Sequence, residues 1–289
     1  MKENISALVT PYDDKENINT EALQQLLDFL IKKGIKDFWV LGTSGEFNML
    51  SQDERILVVS KIREMVKGKI YVGVNENSTR NSLILAKKYY DLGVDYIFSV
   101  PPIYHKPSEK GLISYFSELR NAIDLPLFIY NIPSFTGYNV PLHIIEKLAR
   151  EYVLDGMKYS TTDFVSFLKY LKALKGVNKN FKVFIGEDRM ILSALILDTD
   201  GAVSGISNLV PELVTNLFLE FDRGNIQRAI EIQRILNKLV DVVSLGDYPS
   251  GIKIGLRYRG INVGSVRKPL LEDSRAEGEI YNVLKELGI

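Results

Sequence analysis

Short, nearly continuous apolar runs alternate with amphipathic stretches along the chain. The run "ISALVTPY" (5–12) leads into "NTEALQQLLDFLIKKG", where Leu23, Leu26, Leu27, Leu30 and Ile31 recur at i, i+3, i+4, i+7 and i+8. That spacing places all five on one face of a helix. Asn19 is suited to cap its start and Gly34 its end. "KDFWVLGTSGE" (36–46) reads as a strand running into a glycine-flanked loop, and Ser51 with Glu54 predicts a capping box for the helix after it. The alternation continues through the strands "KIYVGV", "DYIFSVPP", "PLFIYNIP", "LDGMKYS", "KVFIG" and "GAVSGI". Between them helices are predicted over 78–92, 108–122, 141–151, Thr161 to about Lys175 and 187–197, with another from about Pro211.

Two of the joins repeat: "KKGIKDFWV" and "DLGVDYIFSV" both run helix, glycine, aliphatic residue, strand. Strands this continuously apolar suit a parallel sheet whose faces are covered by helices. Eight strand–helix units in roughly 210 residues predict an α/β protein built as a (β/α)8 TIM barrel. The barrel is expected to take residues 1–224, and 225–289 to form a C-terminal helical extension of the same domain. An open doubly wound sheet is the competing architecture, but the G-x-G-x-x-G fingerprint that favours it is missing after the first strand.

Composition narrows the chemistry. The chain has 289 residues, 46% apolar and 25% charged, an ordinary globular make-up with room for a large core. Lys+Arg and Asp+Glu balance at 36 each, so neither nucleic acid nor an anionic membrane is expected as a partner. The absence of cysteine excludes disulfides, thiolate metal sites and a cysteine nucleophile. Only His105 and His143 are available for a histidine-based metal site or triad, and His143 falls in the helical start "VPLHIIEKLA". No metal is expected. The start "MKENISALVTPYDD" lacks the apolar run of a secretory signal, and no segment offers about 20 uncharged apolar residues, so a cytoplasmic location is expected.

A barrel of this type carries its site on the loops leaving the C-terminal strand ends. Those ends present Gly42-Thr43-Ser44-Gly45-Glu46, Pro101-Pro102-Ile103-Tyr104, Tyr130-Asn131-Ile132-Pro133, Lys158 with Ser160, Gly186-Glu187-Asp188-Arg189, and Val203-Ser204-Gly205. Lys158 stands out because an interior strand should avoid an ammonium group, whose desolvation is costly. Either the strand ends there and the amine reaches solvent, or the amine is the chemistry. The tyrosines can likewise be packing residues with wet hydroxyls, and Gly-Thr-Ser-Gly a tight turn only. Taken together, however, they suit imine formation. A partly desolvated amine loses its charge more readily, and the neutral amine attacks a ketone carbon. Backbone N–H groups of the Gly-Thr-Ser-Gly turn can hold the substrate carboxylate, and a tyrosine hydroxyl can carry the proton.

The motifs "GTSGE", "PPIYHKPS", "YNIPSFTG" and "GMKYS" occur in this order between "ALVTPY" and "RKPLL" (267–271). Together they resemble the dihydrodipicolinate synthase / N-acetylneuraminate lyase family over the whole chain. That family consists of pyruvate-handling class I aldolases on a (β/α)8 barrel, usually homotetrameric. The resemblance implies that Lys158 is the Schiff-base lysine and Tyr130 the proton shuttle. It implies that Thr43 and Ser44 hold the pyruvate carboxylate, with Thr43 also in a hydroxyl relay, and that Tyr104 reaches a neighbouring subunit's site. Gly186 and Val203 match pocket-lining positions, and Ser160 follows the lysine at the same strand end.

Departures from the pattern bear on the substrate. Dihydrodipicolinate synthases carry an arginine two residues after the strand-five proline, where this chain has Phe135. A phenyl ring cannot make a bidentate carboxylate clamp. N-acetylneuraminate lyases and 2-keto-3-deoxygluconate aldolases are similar to this chain in having an apolar residue there. The sugar-acid lyases commonly show Gly-x-Asp-Glu after strand seven and a serine on strand eight, against Gly186-Glu187-Asp188-Arg189 and Gly205 here. Asp188 is expected to hold a sugar hydroxyl, and Arg189 to meet a carboxylate or phosphate. Glu46 leans the other way, since archaeal-type 2-keto-3-deoxygluconate aldolases often lack it, and Tyr159 replaces an acidic or amide residue without an evident reason.

The expected activity is therefore a cofactor-free, class I aldolase that cleaves a 2-keto-3-deoxy sugar acid, such as 2-keto-3-deoxygluconate, to pyruvate and an aldehyde through a lysine–pyruvate imine. N-acetylneuraminate lyase and 4-hydroxy-tetrahydrodipicolinate synthase are the close alternatives. A non-catalytic keto-acid-binding barrel is the alternative of a different class, although it would have no use for a nucleophile. A phosphate-binding barrel isomerase would want a glycine-rich loop after strand seven or eight, and "SGISNLVPE" is a poor version.

Overall fold

The apolar runs become eight parallel strands that close on themselves. A computed structural model describes residues 2–289. In chain order the elements are β1 (Glu3–Ala7), α1 (Thr20–Lys32), β2 (Asp37–Val40), α2 (Gln52–Met65), β3 (Ile70–Gly73), α3 (Thr79–Asp91), β4 (Tyr96–Ser99) and α4 (Glu109–Ala122). They continue with β5 (Leu127–Asn131), α5 (Pro133–Thr136), α6 (Leu142–Arg150), β6 (Gly156–Tyr159), α7 (Phe164–Val177), β7 (Lys182–Ile185), α8 (Ile191–Ile196) and β8 (Gly201–Ser204). Then come α9 (Pro211–Asp222), α10 (Ile226–Val243), α11 (Ser250–Tyr258) and α12 (Ser274–Glu286). Each strand pairs in parallel with its sequence neighbours, and β8 closes on β1, giving a (β/α)8 TIM barrel followed by C-terminal helices.

The sequence signals for helix ends are realised. Asn19 accepts from the Ala22 N–H, and Ser51 and Glu54 satisfy each other's backbone N–H groups in a capping box. Boundaries moved where local chemistry intervenes. The first strand ends at Ala7 rather than running to Tyr12, since beyond it Val9 N–H donates to Asn208 Oδ1 and Thr10 Oγ1 to Gly45 O in place of a strand ladder. The helix expected over 187–197 opens as a 3-10 turn at Asp188–Met190 and becomes α-helical only at Ile191.

Alternation along the strands divides the apolar residues into two cores. Inside the barrel lie Ile5, Trp39, Tyr71, Phe98, Phe128 and Phe184, with Trp39 stacked on Phe98 at 3.9 Å. The second core fills the space between the sheet's outer face and the helices. A charged cluster of Glu3, Lys69 and Lys182 closes the end where the strands begin, and the cavity opens at the end where they terminate.

Candidate active site

β6 decides where the amine goes. Gly156 and Lys158 point into the barrel, while Met157 and Tyr159 point to the covering helices. Tyr159 is thereby explained: its hydroxyl accepts from Asn139 Nδ2 at 3.0 Å and lies 3.0 Å from Ser166 Oγ, behind the sheet. Lys158 is 4% exposed. Its Nζ lies 4.3 Å from the centre of the Tyr130 ring and 5.5 Å from that of Trp39. Two electron-rich ring faces therefore border the amine.

β5 and β6 set Tyr130 directly beside Lys158 in register. The Tyr130 hydroxyl is 3.3 Å from Thr43 Oγ1. Thr43 and Ser44 sit in a turn closed by Gly45 N–H to Gly42 O (3.1 Å) and Glu46 N–H to Thr43 O (3.1 Å). That turn is anchored from behind. Glu46 adopts a left-handed backbone (φ 52°), is buried, and pairs with the equally buried Lys253 at 2.6 Å. Arg267 N–H donates to its other oxygen at 2.8 Å. Lys253 also stands 4.1 Å over the Tyr12 ring, and burial pulls its amine down to about 8 against the opposing charge of Glu46.

Gly186 and Gly205 keep the floor open. A Cβ at Gly186 would come within 2.0 Å of Ser160 Oγ and 2.7 Å of Lys158 Cε, so glycine is what lets the lysine stem pass. Ser160 Oγ donates to Gly186 O at 3.3 Å. Asp188 Oδ2 accepts from the Gly205 and Ile206 N–H groups at 3.1 and 2.9 Å. Its Oδ1 is buried without a partner. Desolvation raises this carboxyl to about 6, against the hydrogen bonds and Lys158, which favour the charged form.

These residues line a cavity of about 440 Å³ at the barrel mouth. Of the residues singled out in the sequence, the cavity gathers Lys158, Tyr130, Thr43, Ser44, Ser160, Gly186, Asp188, Arg189, Val203 and Phe135. Tyr104 is not among them; it is 86% exposed on the loop after β4. Arg189 reaches the cavity with its guanidinium held by neighbouring carboxylates. Glu187 holds its Nη1 at 3.0 Å, while Asp241 holds Nε and Nη2 at 3.0 and 2.9 Å. The guanidinium is already matched by two carboxylates. Phe135 is 56% exposed at the rim. Tyr248, which the sequence reading missed, enters from the segment before α11 and places its hydroxyl 2.7 Å from Ser44 Oγ. "SLGDYPSG" signals only a loop. Among the described residues no cluster of three or more His, Asp or Glu is placed to hold a metal ion.

Comparison with known proteins places the chain. The family model described as "Dihydrodipicolinate synthetase family" matches residues 1–286. An uncharacterized DapA-like lyase of Thermofilum pendens is 32% identical over 291 residues, covering 99% of this chain and 97% of that one. A 4-hydroxy-tetrahydrodipicolinate synthase of Thermotoga neapolitana is 33% identical over 288 residues, covering 98% of each. A prophage protein of E. coli K12 from the dihydrodipicolinic acid synthase family, solved in complex with pyruvate, superposes with a TM-score of 0.94 at 25% identity, over 100% of this chain and 99% of that one. A barrel-mouth lysine beside a tyrosine, on a chain matched from end to end by such relatives, leads to one conclusion: the protein belongs to the dihydrodipicolinate synthetase family and is a carbon–carbon lyase.

Proposed function

We propose that the protein is a Schiff-base aldolase that reversibly cleaves an unphosphorylated 2-keto-3-deoxy sugar acid, with 2-keto-3-deoxygluconate the preferred candidate, to pyruvate and an aldehyde. The observation that carries the reaction class is the Lys158 amine buried at the cavity floor, 4.3 Å from the Tyr130 ring.

The steps follow from the neighbours. The Lys158 amine attacks the C2 ketone carbon; the carbinolamine loses hydroxide, which takes the Tyr130 proton and leaves as water. An iminium and a phenolate then sit side by side, with the Thr43 hydroxyl 3.3 Å away as a donor to the phenolate. The phenolate takes the C4 hydroxyl proton as the C3–C4 bond breaks into aldehyde and enamine, its electrons flowing into the iminium. Tyr130 returns that proton to C3, and hydrolysis of the iminium frees pyruvate and Lys158. Thr43 and Ser44 hold the carboxylate throughout. The covalent imine is the electron sink, so the scheme calls on no cofactor.

The aldehyde side of the cavity supports the substrate class. Phe135 offers no charge, and Arg189 is matched by Glu187 and Asp241, so no free cation faces this side for a second carboxylate or a phosphate. The Thermotoga neapolitana relative's name favours 4-hydroxy-tetrahydrodipicolinate synthase as a second reading. That reading needs a grip on a second carboxylate, which Phe135 does not supply. N-acetylneuraminate lyase is the third candidate. We further place the protein in the cytoplasm as a homotetramer in which the partner's Tyr104 completes the hydroxyl relay; sedimentation analysis tests the assembly.

Pyruvate with borohydride, followed by mass spectrometry of peptides, should trap a reduced pyruvyl adduct on Lys158. Absence of an adduct on folded protein overturns the mechanism. Cleavage of 2-keto-3-deoxygluconate well above its 6-phosphate, N-acetylneuraminate and condensation with aspartate semialdehyde is the expected pattern. Turnover with the semialdehyde alone overturns the substrate assignment.

A further inference from the structure

Tyr248 lies 204 residues from Ser44 in sequence, yet their oxygens stand 2.7 Å apart. Room for the phenol is made by Gly205, where a Cβ would approach the Tyr248 oxygen to 2.5 Å; the next atoms, Asp188 Oδ2 and Ile252 Cδ1, would be at an ordinary 3.5 and 3.7 Å. The tyrosine ring also meets Phe135 edge-on at 6.4 Å, which steadies it from the rim side. The absence of a side chain at position 205 and the presence of a phenol at position 248 are thus two halves of one arrangement.

In a pair of hydroxyls one O–H lies between the oxygens and the other remains free to donate. With the phenol, the more acidic partner, donating to Ser44, the serine's own O–H is free to turn into the cavity. Burial, with the nearby Asp188 carboxylate adding to it, raises the Tyr248 pKa and keeps the phenol protonated, as a donor must be. We infer that Tyr248 is a positioning residue for the keto-acid carboxylate: it holds the Ser44 hydroxyl aimed at that group, and Gly205 is glycine to admit it. This rests on the reading of Thr43 and Ser44 as the carboxylate-holding pair.

The test is the pyruvate concentration that half-saturates borohydride trapping on Lys158, which requires no knowledge of the aldehyde. Tyr248→Phe should raise it roughly 3- to 10-fold, the range for losing one oriented hydrogen bond, while trapping at saturation and the melting temperature stay near those of the parent. In a Ser44→Ala background the same change should add little, a non-additivity that a merely structural tyrosine would not produce. Gly205→Ala should raise the half-saturating concentration in the parent and have almost no effect in a Tyr248→Phe background. Unchanged pyruvate dependence in Tyr248→Phe, or strict additivity with Ser44→Ala, overturns this inference alone. A parent protein that never traps pyruvate overturns the imine reading and this inference with it.

Discussion

At the scale of single residues, the site is a matter of which side chains are placed where water is scarce. Lys158 and Tyr130 share the barrel's inner face because both occupy inward positions on neighbouring strands. Removing only the phenol oxygen isolates its part in proton transfer. Tyr130→Phe should lower kcat roughly 10²- to 10⁴-fold, the usual contribution of general acid–base catalysis. Steady-state cleavage assays measure this, and a wild-type rate would remove Tyr130 from the scheme. Asp188 makes a pH prediction. Its folded-state pKa, raised by burial to about 6, exceeds the ordinary 3.8, so between these values the folded protein binds more protons than the unfolded one. Its contribution to stability is full below about 3.8 and is lost as pH rises through about 6. Asp188→Asn keeps an acceptor for the Gly205 and Ile206 N–H groups but carries no charge. Melting curves should show the variant more stable at pH 8, by roughly 1–3 kcal/mol, with the advantage shrinking toward pH 4. An advantage independent of pH would contradict the shift.

At the scale of elements, the turn after β2 and helix α11 act as one unit through Glu46 and Lys253, exposed 1% and 0% respectively. A charge left behind in that setting has no water to turn to. Lys253→Met should cost roughly 3–5 kcal/mol, whereas Glu46→Gln with Lys253→Met should recover much of that loss. Denaturant titrations check the pair, and equal losses in the single and double variants would show that the ion pair is not what couples them. The same contact gives Glu46 a structural role. Its work lies in holding the Thr43–Ser44 turn against the C-terminal helices, behind the cavity rather than within it.

At the scale of the whole molecule, the barrel and its helical extension build the cavity together. Val240, Ser244 and Tyr248 line it from α10 and the segment after it, and Asp241 fixes Arg189. The extension also buries Leu236, Leu239, Ile254, Leu256 and Ile280. A chain ending at residue 224 would expose the apolar faces those residues cover and deprive Glu46 of Lys253 and Arg267. It is expected to fail to give a cooperative melt and to lose pyruvate trapping; a folded, trapping fragment would show that the barrel is complete without the extension.

Order and type of the elements were legible in the sequence, because a strand covered on both faces and a helix covered on one leave different local periods of apolar residues. So was the oddity of Lys158, since an ammonium in an apolar strand is visible without coordinates, as was the absence of a clamp at Phe135. Contacts between distant parts of the chain had no such trace. Nothing in the sequence paired Arg189 with Asp241, Tyr159 lacked a reason until it faced Asn139 and Ser166, and Tyr248 lay in an unremarked loop. Periodicity records which face of an element is buried, and so fixes the fold; which side chain meets which across 50 or 200 residues depends on the path of the closed chain, and only the tertiary structure decides it.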